Sequence, residues 1–221
     1  MPQVKQQNLK YIKDTRMHKK SIFLLFAALL LSACNQKNDR HAKAEKIVAE
    51  WLGKTIQLPA NMRLTISGKD TVMPKFHSTK YKILFFSDST GCASCKLNLF
   101  EWQKLIAETD STLTGKLSFI FCFQPRNRDD LISLLRSERF IQPVFIDKTN
   151  EMNNLNHFPE NETYQCFLLD SINKVMAVGN PIRNPKVWDL YKQIITGISN
   201  NHDKGNTLVE VKSSEVELGE I

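Results

Sequence analysis

The sequence predicts an α/β fold: a central mixed sheet flanked by helices. Three observations predict it. Two compact apolar runs, Lys82 to Phe86 and Leu117 to Phe123, have the length and composition of buried strands, and each is followed by residues at helical spacing. The segment from Tyr164 to Gly179 reads as two strands joined by Ser171-Ile172-Asn173-Lys174, a β-hairpin. Finally, Asn184-Pro185-Lys186 opens a closing helix whose apolar side carries Val187, Leu190, Tyr191, Ile194, Ile195 and Ile198.

The remaining elements follow from local signals in chain order. A helix is expected over about Ala42–Trp51, with Ala44, Ile47, Val48 and Trp51 on one face and Gly53 at its end. Lys54 to Leu58 alternates and stops at Pro59, so it is expected as a short strand. Asn61 to Met73, around Ser67-Gly68-Lys69-Asp70, is expected as a hairpin. After the first buried strand, Leu97, Phe100, Trp102 and Leu105 supply a helical stripe. Thr112 to Gly115 connects to the second buried strand. Asn127-Arg128-Asp129-Asp130 starts a helix with Leu131, Leu134, Leu135 and Phe140 on its buried side. Pro143 to Asp147 is expected as an edge strand because of its proline, and Asn150 to Glu162, polar and Asn-rich, as irregular.

The chemistry lies in Gly91-Cys92-Ala93-Ser94-Cys95, between the first buried strand and its helix. At the first turn of a helix, unpaired N–H groups and the helix dipole favour a negative charge. A thiolate is such a charge, so Cys92 is expected to be acidic and attacking, with Cys95 within disulfide reach as the resolving thiol.

The first 33 residues have a different purpose. Met17-His18-Lys19-Lys20 precedes an uninterrupted apolar run from Ile22 to Leu31, too short to span a bilayer and suited to the core of a secretory signal. Met17 is therefore the expected start. Leu31-Ser32-Ala33-Cys34 resembles the lipobox of bacterial lipoproteins, which implies cleavage before Cys34 and lipidation of that residue. The net charge of +7 is largely the signal's, because residues 1–33 hold six basic residues and one acidic one. The rest of the chain is close to +2, which gives no case for a nucleic-acid partner.

The order of strands and helices around Cys92-Ala93-Ser94-Cys95 resembles the thioredoxin fold, and in particular the membrane-anchored extracytoplasmic thioredoxin-like lipoproteins. The resemblance covers roughly residues 54–198 and rests on Gly91 to Cys95, on Cys166-Phe167-Leu168-Leu169-Asp170 with Lys174, and on the closing helix. It implies that Cys92 attacks and Cys95 resolves. It also implies substrate contacts at Gly91, where the family usually has an aromatic, and at Tyr164, which falls in the slot of the family's cis-proline, after Thr163. A non-proline cis bond costs about 3–4 kcal/mol, so a trans peptide is expected there. The family's buried acid falls on Phe86, and the nearest carboxylate is Asp88. In such a sheet Cys122 and Cys166 occupy strands on opposite sides of the central one. They would be about 10 Å apart, since strands are spaced about 4.8 Å, beyond disulfide reach.

The domain reading is then a signal peptide at 1–33, a lipidated tether and helix at 34–53, the thioredoxin-like domain at 54–198 and a tail at 199–221. The tail's renewed β pattern (Thr207 to Val211, Val216 to Ile221) resembles the opening of a β-sandwich domain, cut short. The function expected is that of a lipid-anchored thiol–disulfide oxidoreductase in the cell envelope, on the periplasmic face of the outer membrane. Its partners would be cysteine-containing exported proteins, an electron donor, and the bilayer through Cys34. No cofactor is expected. Two alternatives remain open: a non-catalytic scaffold with a structural disulfide, and a Cu(I)- or metal-handling module. The scattered His41, His77, His157 and His202 lack ligand spacing, and no metal site is assigned.

Overall fold

The computed structural model describes residues 41–60, 62–71, 79–89, 97–113 and 115–197. The chain divides into two compact units, Met1–Lys46 and Ile47–Ile221. The described part begins within a helix, α1, at residues 41–51. Gly53 ends it at φ +80, a left-handed conformation that a side chain would strain. Then follow β1 (Leu64–Ile66), β2 (Lys69–Thr71), β3 (Tyr81–Ser87), α2 (Leu99–Thr112), β4 (Leu117–Phe123), α3 (Arg128–Ser137) and β5 (Val144–Ile146). The chain continues through α4 (Glu151–Asn156), a 3-10 turn at Glu162–Tyr164, β6 (Cys166–Leu169), β7 (Val175–Val178) and α5 (Pro185–Thr196).

The strands form one mixed sheet in the order β2-β1-β5-β4-β3-β6-β7. β3 pairs with β4 in parallel and with β6 antiparallel, so the strand leading to the Cys-x-x-Cys is central, with every residue buried. This is the expected arrangement: a parallel β3–α2–β4 unit, an antiparallel hairpin on the far side, and a closing helix. Strand alternation divides the core into two layers. Ile83 and Phe85 pack with Trp102, Leu131, Leu135 and Tyr191, which places α2, α3 and α5 on one face. Leu84 and Phe86 pack with Trp51, Met152 and Phe158 on the other. Aromatic pairs span both layers, with ring centroids 5.2 Å apart for Phe85–Trp102 and 4.6 Å for Phe86–Phe158.

Several expectations are corrected. Lys54–Leu58 is no strand; it makes one bridge, Thr55 with Lys174, beside the β6–β7 hairpin. Val144–Ile146 is an interior strand between β4 and β1, because Pro143 precedes the ladder and removes no donor from it. The β1–β2 hairpin, as expected, provides that edge, and its Gly68 sits at φ +88, where a Cβ would come within 2.9 Å of Ile132. The stretch after Asn150 is irregular only between His157 and Asn161. The buried Asp147 carboxylate accepts from the Glu151 and Met152 N–H groups at 3.0 and 2.9 Å, starting α4 in place of an ordinary cap. Phe100 is not buried but 59% exposed, whereas Trp102 is fully buried. In α2 the buried residues are Leu99, Trp102, Leu105, Ile106 and Thr109.

The helix starts at Asn127 and Asn184 are as expected. Each asparagine side chain accepts a backbone N–H two residues on, and Pro185 occupies the first turn of α5. Among the described residues no helix is long and apolar enough to cross a membrane. The expected signal, Cys34 and the 199–221 tail lie outside the described residues.

Candidate functional site

The site is approached from β3. Its seven buried residues carry the chain to Ser87, where the ladder with β4 closes and the Gln124 N–H donates to the Ser87 carbonyl at 2.8 Å. Asp88 and Ser89 follow, and Arg126 Nε, from the segment after β4, donates to the Ser89 carbonyl at 2.8 Å. Gly91, Cys92 and Cys95 lie outside the described residues. The chain is picked up again at Leu97, buried in the core layer beneath α2. Asn98 precedes α2 at φ 44, ψ 48, and its carbonyl accepts from Glu101 and Trp102 N–H at 3.0 and 3.2 Å. The Cys-x-x-Cys segment therefore runs between two fixed points, the C-terminal end of the central strand and the buried start of α2.

Two further segments meet at this end of the sheet. The first holds Tyr164, placed in the 3-10 turn rather than in the strand, which starts at Cys166. The Asn161 side chain caps that turn by accepting the Thr163 N–H at 3.0 Å. No cis peptide bond occurs among the described residues, so Thr163–Tyr164 is trans, as expected. Tyr164 is half-buried against the Trp51–Phe158 layer, and burial pushes its hydroxyl pKa up. The second segment, after β7, carries buried Asn180, whose side-chain oxygen accepts the Ile182 N–H at 3.1 Å. Tyr191 of α5 secures it by donating its hydroxyl to the Gly179 carbonyl at 2.8 Å. Arg183 and Glu162 tie the two segments together by an ion pair at 3.1 Å.

The two other cysteines are where the sequence put them. Cys122 lies in β4 opposite Phe86 and Cys166 in β6 opposite Phe85, so they flank β3 from opposite sides. They also face opposite core layers, and both are free and fully buried. Burial pushes both thiols well above the ordinary range, with the Asp147 carboxylate adding to the effect on Cys122. Neither is a nucleophile in the folded protein.

Sequence reasoning missed Gln165, Asn180 and Arg126. Gln165 left one usable signal: it is a polar residue in a run, Tyr164 to Leu169, that is otherwise apolar. Its backbone carbonyl accepts the Phe86 N–H at 3.0 Å, which seats the 3-10 turn directly on β3.

No family model matches the chain, and no curated protein matches it in sequence. Solved structures do resemble it. The thioredoxin domain of a thiol-disulfide oxidoreductase from Bacteroides vulgatus aligns at 14% identity and TM-score 0.49, over 65% of this chain and 97% of that one. A thiol:disulfide interchange protein from Bacteroides sp. aligns at 14% identity and TM-score 0.47, over 68% and 94%. The peroxidoxin BcpB of Mycobacterium tuberculosis aligns at 16% identity and TM-score 0.46, over 67% and 97%.

Proposed function

We propose that this chain is a thiol–disulfide oxidoreductase, held to the outer membrane's periplasmic face by lipid on Cys34, that acts on cysteines of exported proteins. The observation that supports the reading is that a fully buried central strand, β3, and the parallel β3–α2–β4 unit flank in sequence the stretch that holds Cys92-Ala93-Ser94-Cys95. In the reducing direction, the Cys92 thiolate attacks one sulfur of a partner's disulfide. The partner's S–S bond breaks, its leaving thiolate takes a proton, and a mixed disulfide forms. The Cys95 thiolate then attacks Cys92 Sγ, releases the reduced partner, and leaves a Cys92–Cys95 disulfide. Two electrons have passed to the partner, and a dithiol donor protein restores the pair. Gly91 and Tyr164 would line the partner's path. Cys122 and Cys166, fully buried, take no part.

The test is redox cycling with a dithiol donor, with Cys92→Ser as the inactive control. Reversible cycling at a reduction potential above roughly −300 mV supports the catalyst. The second reading, a scaffold with a structural disulfide, is favoured by the departures at Gly91, Phe86 and Tyr164, and a bond that resists reduction would establish it. Anchoring is tested separately: Cys34→Ser should abolish incorporation of a labelled acyl chain.

A further inference from the structure

The end of the sheet where β3 begins is basic. Lys116 and Lys80 stand one residue before the paired positions Leu117 and Tyr81, and the Tyr81 N–H donates to the Lys116 carbonyl at 2.9 Å. On the other side of β3 the turn of the β6–β7 hairpin closes the same end. Lys82 pairs there with Leu169, and its Nζ reaches the Asp170 and Ser171 carbonyls and the Asn173 side chain. Lys174 completes that turn, and Thr55 bridges to it. Neighbouring strands lie about 4.8 Å apart, so β4, β3, β6 and β7 bring Lys116, Lys80 and Lys174 within about 15 Å along one edge.

Charge and exposure single this end out. Its segments, 50–56, 80–82, 116–117 and 169–175, carry five lysines and two carboxylates. Lys54 pairs with Glu50 at 3.0 Å. Asp170 is taken up by the turn: its Oδ1 accepts the Ile172 and Lys174 N–H groups at 2.9 and 2.8 Å, against the buried Lys82. That leaves Lys80, Lys116 and Lys174, all exposed and none in an ion pair among the described residues. The segments at the opposite end, 87–89, 124–130, 147–151, 160–165 and 180–184, carry seven carboxylates against four basic groups. The tip of the basic end is Ile172, 69% exposed. Turn positions ordinarily take Gly, Asn, Asp or Ser, yet here a turn fixed by Lys82 and Asp170 presents a hydrocarbon to solvent.

We propose that this end is a membrane-docking surface: Ile172 enters the interface of an anionic phospholipid bilayer while Lys80, Lys116 and Lys174 meet its phosphates. The assignment deepens the anchored reading and rests on it, since a domain tethered by lipid meets the bilayer at high effective concentration. Charge alone would fit any polyanion. The exposed isoleucine between the lysines selects the bilayer, which offers phosphates and hydrocarbon together. Docked in this way, the domain turns its acidic end, where β3 finishes, away from the membrane.

The experiment reads lysine acetylation by mass spectrometry in the full chain, alone, with vesicles of phosphatidylcholine, or with vesicles that also contain phosphatidylglycerol. On the anionic vesicles Lys80, Lys116 and Lys174 should label at least about fivefold more slowly than in solution. Lys104 and Lys148, exposed elsewhere, should keep their rates. High salt should weaken the protection. Lys80→Gln should raise the vesicle concentration that half-protects Lys116 and Lys174 about fivefold, and Ile172→Ser should raise it about threefold or more. Both side chains are exposed, so neither variant threatens the fold. Equal labelling with and without anionic vesicles overturns the proposal, and so does an Ile172→Ser protein that docks as the wild type does. Equal protection by inorganic phosphate or by polyglutamate also overturns it, marking a soluble anion or an acidic protein as the ligand. The same digest shows whether Cys34 is acylated. An acylated chain whose lysines label freely loses the docking surface and keeps the anchor; an unacylated chain whose lysines are protected loses the anchor and keeps the surface.

Discussion

Near its N-terminal end β3 buries Lys82, whose Nζ donates to the carbonyls of Asp170 and Ser171 at 3.3 and 2.8 Å and to the Asn173 side chain at 2.7 Å. At its C-terminal end the strand is bridged by Gln165, whose amide N–H side is matched and whose carbonyl side has no partner among the described residues. An ammonium has three donors and Lys82 has three acceptors, so the first end is complete. It ties the central strand to the turn of the β6–β7 hairpin and leaves nothing over. Buried polar groups are ordinarily satisfied, and among the described residues Gln165 Oε1 shares the exception with Trp102 Nε1 and Asn150 Oδ1. The contrast therefore separates a fully matched end of the strand from an incompletely matched one.

The largest expected effect tests whether the incompletely matched end is nonetheless sealed. Cys166 sits opposite Phe85, close to that end, and Cys122 lies opposite Phe86 on the other face. If the core is closed there, both thiols react only through opening of the fold. Alkylation of each should then be at least about a thousandfold slower than that of an unstructured cysteine. Mass spectrometry after timed labelling at pH 8 measures this. Rapid labelling of Cys166 alone would mean that the end of β3 is open to solvent and would blur the comparison.

Next in size is the loss at the structural end. Lys82→Met keeps the length of the side chain but removes the donations to the Ser171 carbonyl, the Asn173 side-chain oxygen and the Asp170 carbonyl, the last of which still accepts the Asn173 N–H, and should cost about 3 kcal/mol in urea denaturation. The effect also has a pH signature. Burial pushes the Lys82 ammonium below its ordinary value, with the Asp170 carboxylate opposing. The folded state therefore releases its proton at lower pH than the unfolded state, which binds more protons in between. Stability contributed by Lys82 should thus rise with pH through the alkaline range, up to the ordinary lysine value near 10.4. The wild-type advantage over Lys82→Met should be larger at pH 9.5 than at pH 7.5. An advantage that shrinks would reverse the assigned sign.

The two ends also differ in how far the sequence revealed them. β3, β4, the β6–β7 hairpin and α5 were legible because buried strands and a one-sided helix impose composition and period on local sequence. The burial of Cys122 and Cys166 followed from the same frame. What was not legible depends on partners distant in sequence. Asp147 starts α4, and a cap four residues upstream leaves no local pattern that distinguishes Asn150 to Asn156 from a loop. Lys82 read as one more residue of an apolar strand, because the three acceptors that let it be buried come from residues 170–173. Val144–Ile146 looked like an edge because of Pro143, and the hairpin that covers it lies more than seventy residues earlier, where no local pattern points to it. Gln165 was hidden in the same way: its meaning comes from Asp88, seventy-seven positions back.

The smallest effect is the stability change at the incompletely matched end, and its smallness is the point. Gln165→Leu removes two donations, to the Pro159 carbonyl and the Asp88 carboxylate, which would cost about 1–2 kcal/mol. It also removes the unpaired Oε1 and replaces it with hydrocarbon among Phe85 and Phe86, which returns a similar amount. Asp88 is only half-buried, so its carboxylate can regain water, and the net change should stay within about 1 kcal/mol. Urea denaturation of Gln165→Leu beside Lys82→Met measures both ends on one scale. A near-neutral Gln165→Leu beside a costly Lys82→Met means that only the fully matched end fastens the strand. Equal losses at the two ends would make Gln165 a second Lys82.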